Sequence, residues 1–429
     1  MALNAFILKQ SAFTYYTLAL RILQLTKKLP YPLKDGESIA IHNLSKALNE
    51  LGCEMSLLSM NTIKHYTDED HARQHLMHYK EVQCVYIDNR IHFLDALKNL
   101  FSLDPYHITR FISKEYEEAL IEILEKNRYD IVQLETLYLT PYIPVIRKHS
   151  SAKICMRAHN IEHEIWERYT SNEGISFKKF YLEHLTRKLK KYELLHLNDY
   201  DLLISVSQRD LKRFKNLGYL NGAVNSPIGL KLDHYQQNDR KEDQYFNVCF
   251  IGAMDWLPNK EGLEWFLAKV WPHFIERNPA SRLHIAGRNM ESDAYSSLDP
   301  SIVIHGEIDD AKKFMFKSDV MIVPLFSGSG TRVKILEGMA LGIPVISTQL
   351  GMEGIEAKDG REVIIADSPL DFIHALESLK ENQELREKLG KKAKKFIVKN
   401  YDAIQNAMDL KDIYQRMLES NYQVTPINL

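Results

Sequence analysis

The segment from Ser318 to Thr348, SDVMIVPLFSGSGTRVKILEGMALGIPVIST, constrains the fold more tightly than any other part of this 429-residue chain. Val320 to Leu325 is a continuous apolar, β-branched run of strand length, closed by Phe-Ser-Gly-Ser-Gly. Val333 to Leu341 then carries apolar residues at helical spacing until Gly342 and Pro344 end the helix, and Val345 to Ser347 is extended again. Strand, helix and strand within about 30 residues form a βαβ unit, which requires a parallel sheet covered on both faces. The loop of this unit falls at the carboxyl end of the first strand, where open parallel sheets bind ligands. Gly328 and Gly330 let backbone N–H groups converge with no Cβ in the way. The helix start adds partial positive charge, Arg332 and Lys334 add full charges, and a diphosphate fits that combination. Glu337, further into the same helix, is out of place beside phosphates but suits hydrogen bonds to a vicinal diol such as a ribose presents.

The rest of the chain repeats the alternation of strands and helices. Strands are expected at 21–26, 54–60, 82–87, 130–134, 152–158 and 202–207, and again at 247–251, 282–286 and 302–305. At about 100 to 200 residues per domain the length calls for two domains. The polar stretch 230–245 is the best linker, which gives a first domain over 21–229, a second over 230–400 and a terminal helix and tail over 401–429. Residues 1–20 are apolar but interrupted by Lys9 and Gln10, so the uninterrupted run is shorter than the roughly 20 apolar residues a bilayer requires. They read as an extension before the first strand, with a membrane-contacting segment as the second reading. Residues 165–197 form one long helical region, with Phe177, Phe180, Tyr181, Leu185, Leu189, Tyr192 and Leu195 on one side and basic residues crowding the rest. A solvated basic face on a core-packed helix is the simpler reading; attraction to an anionic membrane surface is the other.

Composition narrows the function classes. A net charge of −2 argues against a nucleic-acid partner, which needs a concentrated excess of Lys and Arg. The four cysteines are far apart, most within strand-like runs, and read as buried reduced thiols; no Cys/His cluster suggests a structural metal. No GxGxxG follows the first strand, so an NAD-dependent oxidoreductase is disfavoured.

PLFSGSGTRVKILEGMALGIPVIST resembles the nucleotide-binding signature of the retaining group-1 (family 4) glycosyltransferases. Three further blocks agree with that family in order: ILQLTKKLPYPLKDGES at 22–38, RAHNIEHEIW at 157–166 and GAMDWLPNKEGLEWFLAKVWP at 252–272. The resemblance covers nearly the whole chain from Arg21 onward and implies the GT-B fold. In that fold two Rossmann-like doubly wound α/β domains face each other across a cleft, and a C-terminal helix returns to the first. It implies transfer of a hexose-type sugar from a nucleotide-diphosphate-sugar to a hydroxyl of a glycan or lipid-linked saccharide, with retention of anomeric configuration. By the same resemblance Arg332 and Lys334 clamp the diphosphate, and Gly36, Lys260, Arg288, Gly330, Thr331 and Glu337 complete the donor-binding set. His159 stands beside the donor sugar, and Glu135, Asn160 and Glu162 fall on the acceptor side. One departure concerns the donor sugar: the family's motif has two glutamates separated by seven residues, and Ser329 occupies the first position.

No pair of carboxylates is identifiable as nucleophile and acid, so same-face substitution is expected, in which the departing diphosphate takes the acceptor proton. No Asp-x-Asp signal lies near the phosphate loop, so metal-independent chemistry with no cofactor beyond the donor substrate is expected. A cytoplasmic location follows, with peripheral contact at the inner face of the membrane. A nucleotide-sugar epimerase of the same fold, or a non-catalytic nucleotide-sugar-binding subunit favoured by Ser329, are the alternatives.

Overall fold

The computed structural model describes residues 19–90, 99, 102, 104–171, 174, 176–235, 244–290 and 299–419. The expected N-terminal extension up to residue 18, the middle of the polar 230–245 segment and the end of the tail lie outside the described residues.

Seven strands, β1 (Arg21–Thr26), β2 (Glu54–Thr62), β3 (Glu81–Ile87), β4 (Ile131–Leu134), β5 (Lys153–Ala158), β6 (Leu202–Ser205) and β7 (Gly222–Asn225), form a sheet in the order β3-β2-β1-β4-β5-β6-β7. Six more, β8 (Phe246–Ile251), β9 (Ser281–Ala286), β10 (Ile302–Gly306), β11 (Val320–Val323), β12 (Val345–Ser347) and β13 (Ile364–Ile365), form a second in the order β10-β9-β8-β11-β12-β13. Every pairing is parallel. Helices cover both faces, so a strand such as β11 is buried throughout and reads as an unbroken apolar run instead of an alternating one. In each sheet the order reverses beside its first strand, between β1 and β4 and between β8 and β11, and that is where a crevice opens.

Local differences from the sequence reading have local causes. β11 stops at Val323, because Pro324 has no N–H to continue the ladder. β7 and β13 are too short, and β7 too glycine-led, to stand out as apolar runs. The long helix expected over 165–197 is two helices, Glu162–Ser171 and Phe177–Leu195. Gly174 falls between them, and Ser176 caps the second by accepting from the Lys179 N–H. The helix after β8 begins at Leu257 with Pro258 in its first turn, ahead of the expected start at Gly262. Gly262 is needed for packing: a Cβ there would lie 1.8 Å from the Pro324 carbonyl oxygen, so this helix rests directly on the loop after β11. Among the described residues no helix is long and apolar enough to cross a membrane. None of the four cysteines is in a disulfide; three are buried and Cys84 partly so.

The chain crosses between the sheets at two adjacent points. The Leu230 N–H donates to the Tyr401 carbonyl at 2.7 Å, and the Ala403 N–H returns to the Leu230 carbonyl at 3.1 Å. Beyond that ladder the helix Ala403–Leu418 packs Ala407, Leu410 and Tyr414 against Leu44, Ala47 and Leu48 of the helix Gly36–Glu50, in the core of the first domain. Tyr414 also donates to Gln133 on β4, whose amide donates to Glu135. Glu135 is 0% exposed and accepts from Gln24 on β1 and, at 3.3 Å, from Arg157 on β5. The C-terminal helix thus ends on a buried polar network.

Removing one member of a buried ion pair leaves the other charge unpaired, at about 3 to 5 kcal/mol. Glu135→Ala, which strands Arg157, is therefore expected to lower the urea midpoint of the first domain by that order, and Glu135→Gln by less. A midpoint unchanged in both variants would show that the network contributes no stability.

Candidate active site

The loop after β1 is held by charge. Asp35 caps the helix Gly36–Glu50, accepting from the Ser38 N–H at 2.9 Å, and accepts from Lys28 at 2.7 Å. Glu37 lies 3.3 Å from both Lys27 and Lys28. Burial would push its carboxyl up, but these lysines and His159 outweigh burial and hold it at about 2. Gly36 meets the second domain: a Cβ there would come within 3.1 Å of Val333 Cγ2, at the start of the helix Val333–Ala340.

His159 follows β5, and its Nε2 lies 2.9 Å from Glu135 Oε2. Burial opposes charge on Glu135, but Arg157, His159 and Gln24 together keep its carboxyl below the ordinary range. An ionised carboxylate can only accept, so Nε2 carries the proton and Nδ1 is the nitrogen left for other partners. Glu135 was expected to contact the acceptor; the structure corrects this. With no exposure and with both oxygens committed to Gln24, Gln133, Arg157 and His159, it is a buried positioning group behind the histidine. Asn160 faces the other domain, its Oδ1 3.5 Å from Ser329 Oγ and 2.7 Å from where a Gly330 Cβ would stand. Glu162 accepts from Tyr138 at 2.9 Å; burial first, and Glu193 nearby, raise its carboxyl to about 7 against the pull of Lys27.

On the opposite rim, Gly328 and Gly330 take φ of +91° and +87°, a region side chains avoid, which folds the loop after β11 back toward the helix start. Arg332 is 5% exposed; Nη1 donates to the Gly330 carbonyl, while Nε and Nη2 have no hydrogen-bond partner. Its guanidinium lies 5.4 Å from the ring centre of Trp256, which also packs against Gly328. Burial, and Arg168 in addition, bring Arg332 down to about 10. Lys334 Nζ reaches the end of β8, donating to the Ile251 carbonyl at 2.9 Å and to Asn259 Oδ1 at 2.8 Å. Burial, with Arg332 beside it, brings Lys334 down to about 7. Thr331 Oγ1 is buried without a partner, and Glu337 Oε1 accepts from Tyr235 at 2.9 Å.

Two expected donor residues lie elsewhere. Lys260 points outward on its helix, 4.0 Å from Glu264, because the position facing the site is taken by the buried Asn259 one residue earlier. Arg288 is on the same rim but is paired with Asp255 at 3.3 Å. The structure adds Asn259, Trp256 and Tyr235, the last from the presumed linker. It also adds a latch between domains: Arg168 grips Glu353 with both terminal nitrogens at 2.6 and 2.8 Å, Arg209 joins at 2.7 Å, and Arg168 Nη1 reaches the Gly328 carbonyl at 3.4 Å. Paired charges separated by this much sequence leave no local pattern; only the glycine-rich run beside Trp256 carried a signal.

The arrangement sets buried cations and left-handed glycines on one wall against a histidine held by a buried anion on the other. Residues 245–382, which carry the cation wall, match the family model described as glycosyl transferases group 1. An uncharacterised protein of the Klebsiella pneumoniae cps region is 25% identical over 398 residues, covering 89% of this chain and 97% of its own length. An uncharacterised glycosyltransferase of Methanocaldococcus jannaschii is 22% identical over 393 residues, covering 90% of this chain and 96% of its own. The crystal structure of Anabaena HepE in complex with UDP has the same fold, with a TM-score of 0.65 at 12% identity over 92% of this chain and 100% of that one. Residues 245–382 are thus a group-1 glycosyl transferase domain, set in a chain whose two parallel-sheet domains have the GT-B fold.

Proposed function

We propose that this protein transfers a hexose-type sugar from a nucleotide-diphosphate-sugar to a hydroxyl of a glycan or lipid-linked saccharide, with retention of configuration. Arg332 carries the reading. A nearly buried guanidinium with two unused N–H groups is unfavourable until an anion arrives, and it stands where a glycine loop and a helix start point the same way. HepE, which shares the fold, has been solved with UDP and with UDP-glucose, which supports a nucleotide-sugar donor. The cps-region relative supports a saccharide acceptor.

In this reading the diphosphate lies on the amides of the 328–330 loop, Arg332 and Lys334, the ribose hydroxyls on Glu337, and the sugar under His159. The acceptor enters from the first domain past Asn160 and Glu162. Its oxygen forms the new bond to the anomeric carbon on the face from which the diphosphate leaves with the bonding electrons. The acceptor proton passes to a diphosphate oxygen. Arg332 and Lys334 stabilise that leaving charge in the role a metal has elsewhere. His159, its ring fixed by Glu135, positions and polarises the sugar.

A screen of UDP-, GDP- and ADP-sugars tests the donor: the right one, at a hundred times its dissociation constant, stabilises the protein by about 2.7 kcal/mol. Arg332→Ala should weaken binding of that donor and of the free nucleoside diphosphate alike by about 1.5 to 3 kcal/mol, with folding intact. Unchanged affinity would remove the loop from the site.

His159→Ala should behave differently. It is expected to lower kcat by a factor of ten or more, roughly 1.4 kcal/mol, while the diphosphate dissociation constant stays near wild type. Equal losses in both would place His159 against the nucleotide.

Lys334 makes the affinity depend on pH. In the free protein it loses its proton near pH 7, whereas a bound diphosphate favours the ammonium form. Donor affinity is therefore highest below that pH and falls as pH rises through it, and binding at about pH 8 takes up close to one proton. Calorimetry in buffers of different ionisation heat measures the uptake, and Lys334→Arg should abolish it.

A further inference from the structure

Phe177 and Phe180 have the spacing of core residues, yet they are 97% and 63% exposed. The break near Gly174 explains it. The helices Glu162–Ser171 and Phe177–Leu195 form a hairpin, and the second begins at the outer tip, beyond the reach of the core. At 100° per residue Phe177, Phe180, Arg187, Lys191 and Leu195 fall on one side of that helix, away from the buried Leu185 and Leu189. All five are exposed, Leu195 by 73%. Glu183, one turn before Arg187, is half-buried. Two outward phenylalanines at a helix start, continued by cations along a single face, are not the solvated basic face expected of a core-packed helix.

We propose that this stripe docks on an anionic lipid bilayer. Phe177 and Phe180 enter the interfacial layer, and Arg187 and Lys191 lie against the anionic headgroups. The charge pattern selects this occupant: a bilayer offers an apolar layer beneath a negative surface, matching aromatic rings beside cations. The placement gives docking a use, and that use rests on the proposed transfer to a lipid-linked acceptor. The other helix of the hairpin starts just after His159 and Asn160, and its Arg168 reaches the Gly328 carbonyl of the phosphate loop. A docked tip would hold the cleft at the bilayer surface, where such an acceptor resides.

Liposome flotation tests this with the full chain, using vesicles of phosphatidylcholine alone and of phosphatidylcholine with phosphatidylglycerol. The protein is expected to float with the anionic vesicles only, and less as salt rises. Phe177→Ser/Phe180→Ser should lower partitioning by about tenfold or more. Arg187→Glu/Lys191→Glu should lower it by a similar factor of about ten and remove the salt dependence. All four side chains are exposed, so unchanged melting temperatures are expected. No flotation of wild type, or flotation equal in wild type and both variants, overturns the proposal. So does sedimentation showing a wild-type dimer that Phe177→Ser/Phe180→Ser dissolves, because a second copy would then cover the stripe. Binding of UDP-sugars in solution, measured alongside, should be the same in wild type and variants. Absent flotation of wild type with intact donor binding sinks only the docking, whereas absent donor binding sinks the transfer reading.

Discussion

The charge on Glu135 sits beneath the carboxyl ends of β1, β4 and β5, where an isolated carboxylate would cost several kcal/mol. It is tolerated because neighbouring strands and the C-terminal helix each supply part of its coordination. β1 gives Gln24, β4 gives Gln133, β5 gives Arg157 and the residue after it, His159, and Tyr414 holds Gln133 in place. Tyr79 adds a hydrogen bond to Gln24 at 2.5 Å. No member can move far without stranding another. The geometry of the histidine on the cleft wall is therefore set by the same bonds that fasten the last helix to the first sheet.

The second domain is built on the opposite sign. Arg332 and Lys334 are neighbours on one helix start; burial lowers the proton affinity of both, and Arg332 lowers that of Lys334 further. Lys334 is satisfied by the Ile251 carbonyl and Asn259, and Arg332 is shielded by Trp256 and left with open donors. Such a wall is strained in its free state and relaxed by an anion, which is how a fixed electrostatic site favours charge that develops on a leaving group. The cleft faces are thus complementary: an anion fixed behind a histidine on one side, buried cations, one of them with unused donors, on the other.

Much of the frame could be read from residue order alone. The unbroken apolar run of β11 reads as an interior parallel strand, with the mostly apolar β1 and β8 of the same kind, and the glycines after β11 marked the ligand-binding end. The site was less legible wherever a role depends on which way a side chain turns. Lys260 and Asn259 are adjacent, and only the packing of their helix decides that the asparagine faces inward. Glu135 looked like a rim residue because it follows a strand, but its burial is fixed by Arg157 on the next strand. Phe177 carried the periodicity of a core residue and was exposed by the break at Gly174, a tertiary consequence of a single glycine followed by a serine cap. Arg168 and Glu353 are 185 residues apart and share no local signature.

The paired crossings at Leu230 and Tyr401 to Ala403 have a mechanical meaning. Leu230 and Asp402 form one parallel β-bridge, whose two hydrogen bonds hold the crossing segments side by side. Gly229 strengthens this, because its backbone lies so close to Ala403 that even a methyl group would meet it at 2.5 Å. Any movement between the domains must therefore carry these two segments together. The Arg168–Glu353 clasp ties the same two domains through side chains, so parting the cleft walls there requires breaking a bidentate ion pair.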